Sequence, residues 1–505
     1  MSDELQSPFR PGENCWRIEK AERFAVIVDA DDYFRDVRDA MMAAEKQITI
    51  VGWDFDPRIK LDPDKSGNGV PNTLGAFIPW LANRKPDLCI RILIWNMGAF
   101  KLLLRGAAVL TILRWKMHSN VTLRFDSQHP IGATHHQKII AIDDSLAFCG
   151  GIDMTVDRWD TSDHADHDPR RRGPLGFPYP PWHDVTAAVN GPAAVALAEL
   201  CRDRWVASGG EPIEPVPDPE PGRWIEGLPA LMTDTTVAIA RTRPAGGAEE
   251  VREIEAMFLD LIGRAKRFVY ADNQYFASRR IAEAIAKRLA EPGGPEVVLV
   301  NPESADGWLQ EQAMGTARAE LMRALAEIDV EKRFRIYTPV TPAGVPIYVH
   351  AKVMIVDDLV LQVGSANMNN RSMGLDSECD VAVSGDEPAI RALRERLMAE
   401  HLGVEPAEVA RVMAETGSLI ATVEALRGEG KTLVPFEPPA LSGFARALGA
   451  SELLDPESAE ERFEPLSKRG LFRRRAWWRQ LHRWRQERKA RRPLRTAARR
   501  FLGRR

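Results

Sequence analysis

Cysteine is scarce in this chain. The five that occur, Cys15, Cys89, Cys149, Cys201 and Cys379, are scattered and never fall in CxxC spacing. That argues against a disulfide framework or a zinc ribbon and predicts reduced thiols. No run of about 18 apolar residues occurs, so no membrane-spanning helix is predicted. The opening residues, MSDELQSPFRPGENCWR, lack the apolar core of a signal peptide, and a cytoplasmic location is expected. Net charge is also small, −4 over 505 residues.

What is present is the composition of a globular protein, 44% hydrophobic and 28% charged, in a chain too long for one typical domain. The small net charge hides an asymmetry. Lys468 to Arg505 holds 17 Lys/Arg and one acid, Glu487, leaving 51 bases and 71 acids elsewhere. Within this tail Trp477, Leu481 and Trp484 recur at helical spacing among arginines. That is the composition of an interfacial amphipathic helix, and it predicts peripheral attachment to an anionic membrane surface. Nucleic acid is the second partner such a tail fits.

Helix and strand patterns alternate twice along the chain, the order expected of an α/β protein. Helical periodicity over 32–44 and 74–83 brackets an apolar strand, ITIVGWDFD, and CIRILIWNMG follows as another. A helix over 102–117 and a strand VTLRFDS complete the first series. The second series has helices over 250–264, 281–289 and 310–328, with strands RFVYADNQYF, EVVLVNPES and FRIYTPV. We read an internal duplication. The expected halves are 1–208 and 229–403, joined by a Pro/Gly-rich linker at 209–228. A helical appendix and weakly ordered connection (404–467) and the basic tail (468–505) follow. The linker is expected to be extended, because proline fixes φ and blocks sheet pairing.

Each half carries one copy of H-x-K-x4-D, His136, Lys138 and Asp143 in the first and His350, Lys352 and Asp357 in the second. Side chains two apart on a strand share a face, so each histidine and lysine project together. The aspartate ends the strand and is expected to hold the turn after it. A lone match of this kind occurs by chance; two, each followed by a Gly pair or Gly-Ser, point to two half-sites that meet.

With the longer strings GGIDMTVDRWD (150–160), PWHDV (181–185), DNQYF (272–276) and GSANMNNRSMGLDSE (364–378), the chain resembles the phospholipase D superfamily. The likeness runs over about 16–402 and is strongest to the bacterial-type phospholipase D/transphosphatidylase branch. It implies two α/β/α sandwich halves related by a pseudo-twofold axis, with one active site between them and no metal or other cofactor. It also implies a glycerophospholipid substrate, hydrolysed to phosphatidic acid and alcohol or transferred to another alcohol, and a monomeric enzyme. By the resemblance His136 is the nucleophile, His350 the acid, and Lys138 and Lys352 the phosphate clamp. Asp160 and Glu378 orient the histidines; Asn367, Ser365 and Gln274 meet the phosphate. Asp153 stands in the place of Asn367 in the first copy, where an anion would repel a phosphate, so a structural role is expected.

Three competing readings remain. A cardiolipin synthase-like transferase typically carries N-terminal membrane helices, which the sequence lacks. A nuclease of the superfamily usually has one motif per chain. A non-catalytic lipid-binding scaffold fits poorly with two intact His/Lys pairs. The stretch TSDHADHDPRRRG (161–173) is rich in His and Asp but matches no strong metal-ligand spacing, and is read as a polar loop. Trp53, Asp54 and Tyr275 end corresponding strands and are candidates to line the pocket.

Overall fold

Two twelve-residue strands, β1 (Arg17–Val28) and β9 (Met232–Arg243), lie antiparallel at the centre of one mixed sheet. The computed structural model describes residues 7–64, 69–96, 111–112, 114–115, 117–130, 132–245, 249–304 and 314–438. The basic tail, the connection beyond 438 and most of the helix expected over 102–117 lie outside the described residues.

Outward from β1 come β8 (Val185–Asn190), β6 (Leu146–Gly150), β5 (Ile139–Ile142), β2 (Gln47–Gly52), β3 (Cys89–Trp95) and β4 (Val121–Asp126). Outward from β9 come β17 (Glu378–Ser384), β16 (Val360–Gly364), β15 (Lys352–Val356), β11 (Phe268–Asn273), β12 (Glu296–Val300) and β13 (Phe334–Val340). The two series are the same arrangement, including the parallel pairs β2–β3–β4 and β11–β12–β13. This is the α/β fold of two related halves that the sequence predicts. The second half adds β18 (Thr432–Pro435) beyond β13, and β10 (Val251–Arg252) pairs with β9. A separate pair, β7 (Trp182–His183) and β14 (Tyr348–Val349), runs parallel between the halves.

The inner strands are apolar on both faces because both faces are covered. In β15, Val353 and Ile355 join one cluster while Met354 and Val356 join another, the strand's period of two read out as two cores. One face carries a single cluster common to both halves, into which helices Pro192–Ala207 and Glu387–Leu402 pack. On the opposite face each half has its own cluster, under helices Ala30–Ala43 and Leu74–Arg84 or Glu253–Arg264 and Arg279–Leu289. Each fully buried Val, Ile, Leu or Phe contributes roughly 1.5–3 kcal/mol, so a shared face makes separation of the halves expensive. Among the described residues no helix is long and apolar enough to cross a membrane.

Asp143 and Asp357 occupy the β5–β6 and β15–β16 turns at positive φ, 50° and 57°, a backbone region that aspartate tolerates better than most residues. Each carboxylate accepts three backbone N–H groups at the start of a neighbouring strand. These are residues 45–47 for Asp143 and 266–268 for Asp357, all at 2.7–2.8 Å. The motif aspartates tie hairpin to sheet and are remote in role from any substrate.

Candidate active site

The two histidines sit just before their strands, where the chain of one half runs beside the chain of the other. His136 N donates to Ser377 O at 2.9 Å, and His350 N donates to His183 O at 2.8 Å. In both cases the residue after the acceptor is a buried carboxylate, and it holds the histidine side chain. His136 Nδ1 lies 2.9 and 3.0 Å from the two oxygens of Glu378, and His350 Nδ1 lies 2.7 Å from Asp184 Oδ2. Each half therefore orients the other half's histidine, leaving Nε2 as the reactive nitrogen.

This arrangement corrects one expectation. Asp160 is on neither histidine of the motifs. It accepts from Arg171 Nη1 at 3.0 Å and from Trp182 N at 2.9 Å, and pairs with His164 Nδ1 at 3.0 Å. The carboxylate at His350 is Asp184, whose signal was present in the sequence: PWHDV puts an acid directly before a buried strand, as DSE does in the second half. The long loop between Gly151 and Pro181, against a short one between Ser365 and Ser377, hid the correspondence. Gly151 is required here, since a Cβ would stand 2.1 Å from Asp184 Oδ1.

Two further expectations shift. Ser365, expected at the phosphate, donates its hydroxyl to Glu378 Oε2 at 2.5 Å, and Ser372 donates to Oε1 at 2.7 Å. Gln274 accepts from Lys352 Nζ at 3.3 Å and donates to the Tyr348 hydroxyl at 2.9 Å, so it positions the lysine. Lys138 Nζ lies 3.2 Å from Asp153 Oδ2, and Asp153 Oδ1 also accepts from Trp53 N. Asn367 is buried, and its Oδ1 has no hydrogen-bond partner among the described residues.

Burial governs the site's electrostatics. It pushes both histidines well below their usual range, and both Lys138 and Lys352 push each of them in the same direction. Both imidazoles are therefore neutral near pH 7. Burial lowers Lys352 to about 7 and raises Glu378 to about 8. Indoles form the walls. Trp53 meets His136 edge-on at 5.9 Å, and Trp182 lies 5.2 Å from His350, stacked on Tyr348 and capped by Arg158 at 4.0 Å. A cavity of about 1310 Å³ opens in the first half, against Phe34, Arg58, Trp159 and Tyr179, and neither histidine lines it.

Such a set can take a phosphodiester. It holds two buried imidazoles with Nδ1 fixed by carboxylates and a lysine beside each.

Known proteins resemble this chain in sequence and in fold. A family model described as "Cardiolipin synthase, PLD-like domain" matches residues 258–399. Phospholipase D A of Dictyostelium discoideum is 26% identical over 467 residues, covering 75% of this chain and 36% of its own length. Phospholipase D alpha 1 of Zea mays is 24% identical over 527 residues, covering 74% of this chain and 63% of its own. The chain thus spans between about a third and two thirds of the length of these curated relatives. The crystal structure of phosphatidylserine synthase from Haemophilus influenzae Rd KW20 superposes with a TM-score of 0.55 at 12% identity, over 81% of this chain and 97% of that one. At that identity the likeness is one of fold.

Proposed function

We propose that this chain, which belongs to the phospholipase D superfamily, transfers the phosphatidyl group of a glycerophospholipid to water or to an alcohol through a phosphohistidine. The observation that carries the reading is the crossed pairing of His136 with Glu378 and His350 with Asp184.

His136 Nε2 attacks phosphorus, forming a P–N bond as the P–O bond to the headgroup alcohol breaks. His350 gives that oxygen its proton. Both imidazoles are neutral in the free protein; the arriving phosphate anion offsets the two lysines that face His350, and the ring takes up a proton from solvent on Nε2, the proton it then gives to the leaving oxygen. In the second step His350 takes a proton from water or alcohol, whose oxygen attacks phosphorus and frees His136. Lys138 and Lys352 hold the non-bridging oxygens as charge builds on them, and Asn367 offers its amide to the same group. Glu378 and Asp184 keep Nδ1 of each imidazole occupied throughout.

The test is incubation with mixed phospholipids and ethanol, followed by mass spectrometry. Phosphatidylethanol is the expected product, and the lipid consumed identifies the headgroup. A product joining two phosphatidyl groups would instead indicate a lipid alcohol as acceptor, the reaction named in the family model's description. Cleavage of plasmid DNA with intact lipid would contradict the reading.

The basic tail extends the proposal to membrane attachment. Seventeen Lys/Arg interleaved with tryptophan suit an anionic lipid surface. Truncation after Ser467 should reduce binding to anionic vesicles and leave turnover of detergent-dispersed lipid intact.

A further inference from the structure

Behind Asp184, away from the reacting nitrogens, the fold buries three imidazoles, His164, His183 and His401, among carboxylates, His401 Nε2 lying on Asp272 at 3.1 Å. Asp29 ends β1, His164 lies in the loop after β6, His183 is in β7 and Glu400 is on helix Glu387–Leu402. His164 and His183 are fully buried, and Asp29 is 1% exposed. His183 Nδ1 lies 2.8 Å from Glu400 Oε1 and 3.2 Å from Asp29 Oδ1. His164 Nε2 lies 3.1 Å from Glu400 Oε1 and 3.7 Å from Asp29 Oδ2. His183 Nδ1 thus stands within ion-pair distance of both carboxylates without a well-aligned hydrogen bond to either.

Those separations draw on both Asp29 oxygens, and one donor atom from each of the four residues lies within 4.8 Å of the others; ligands around a tetrahedral zinc stand about 3.3 Å apart for bonds of 2.0–2.1 Å. The outer nitrogens are also provided for. His164 Nδ1 is on Asp160, which Arg171 anchors, and His183 Nε2 faces Asp272 Oδ2 at 3.4 Å. A carboxylate on the far nitrogen is the usual support of a metal-binding histidine. Among the described residues neither Asp29 nor Glu400 pairs with a lysine or arginine. Two buried carboxylates beside two imidazoles match the charge of one dication. Two nitrogen donors favour the zinc class over calcium or magnesium, which take oxygen.

We propose that Asp29, His164, His183 and Glu400 form a structural site for one divalent cation of the zinc class. With four protein ligands, three of them buried and the Glu400 side chain 5% exposed, the ion has no substrate position. It ties Glu400, and with it helix Glu387–Leu402 of the second half, to three segments of the first. It also fixes His183, whose carbonyl holds His350 N and whose neighbour Asp184 orients that ring. The loop that reads as merely polar in sequence thereby gains a ligand, His164, and Asp160 gains a role as its support.

The test uses the full-length protein purified without added metal. Elemental analysis should find about one zinc per chain, lost in His164→Asn and Glu400→Gln. If those variants do not fold, the wild type decides. Stripped with a chelator and given Co²⁺, it should develop the visible bands of a tetrahedral site and an X-ray absorption signature of two imidazoles. Its thermal midpoint should rise by several degrees. Folded wild type with less than about a tenth of a metal per chain, and with no colour or stabilisation on adding Co²⁺, would overturn the proposal. So would full metal retention in folded variants, or cobalt absorption without imidazole scattering.

Discussion

The two half-sites share one backbone plan and differ in charge. Each histidine hangs from a carbonyl of the opposite half, one residue before its carboxylate. Around that common frame, Lys138 pairs with Asp153 at 3.2 Å, whereas Lys352 bonds the neutral oxygens of Gln274 and of His350's own backbone and feels Asp184 and Glu378 from beyond pairing distance. Glu378 is held by two serine hydroxyls; Asp184 is held by the backbone N–H of Val185 and lies over Gly151. The halves share their strand arrangement and differ in the charges they set around it. In the two-step transfer proposed above, that inequality is what assigns the roles, one histidine to phosphorus and the other to the proton.

The largest effects should separate the two histidines. His136→Ala and His350→Ala should each lower kcat/KM on phospholipid by about 10⁴-fold, with thermal midpoints close to wild type. A phosphodiester whose leaving group needs no proton should restore a first-turnover burst of leaving group, followed by slow turnover, to His350→Ala and nothing to His136→Ala. Equal rescue of both would erase the distinction.

Next in size are the carboxylates. Asp184→Asn should cost about 10²-fold in turnover by loosening His350, while Asp160→Asn should leave kcat within a few-fold. The latter should instead lose about 3 kcal/mol of stability, since it leaves the buried Arg171 unpaired. A comparison of kcat and denaturant midpoints checks both.

Lys352 brings a pH dependence of its own. With Lys352 lowered to about 7, raising the pH through that value removes its charge and its hold on phosphate. The kcat/KM of the wild type should therefore fall on the alkaline side of about 7. Lys352→Arg should abolish that limb because a guanidinium stays charged, and Lys138→Arg should retain it. The smallest effect is expected for Ser365→Ala, which removes one hydroxyl from Glu378 and should reduce turnover about five- to tenfold.

Much of this site was legible because its parts are short and repeated. His136, Lys138, His350, Lys352 and Glu378 stand in strings whose residue types and spacing announce them, and the structure gathers them. Asp184 was harder to see because its distance from the first glycine pair is stretched by a loop. The metal-type cluster was invisible because Asp29, His164, His183 and Glu400 meet only in the fold. The apolar strands β2, β3, β12 and β13 read plainly. The central strands did not: the first part of β1, RIEKAE, is polar and partly exposed and reads as a lead-in, and β9 opens with MTDTT. Their pairing with each other, rather than any apolar run, makes them strands, and a sequence does not display its partners.

The central claim is that the unequal halves divide the labour, with His136 taking the phosphatidyl group. It is tested most directly by trapping the intermediate in His350→Ala with an activated phosphodiester, quenching, and locating the adduct by peptide mass spectrometry under conditions that preserve phosphoramidates. The account predicts the adduct on His136 and its loss when His136 is also replaced. An adduct elsewhere, or rapid turnover with no adduct at all, would contradict it.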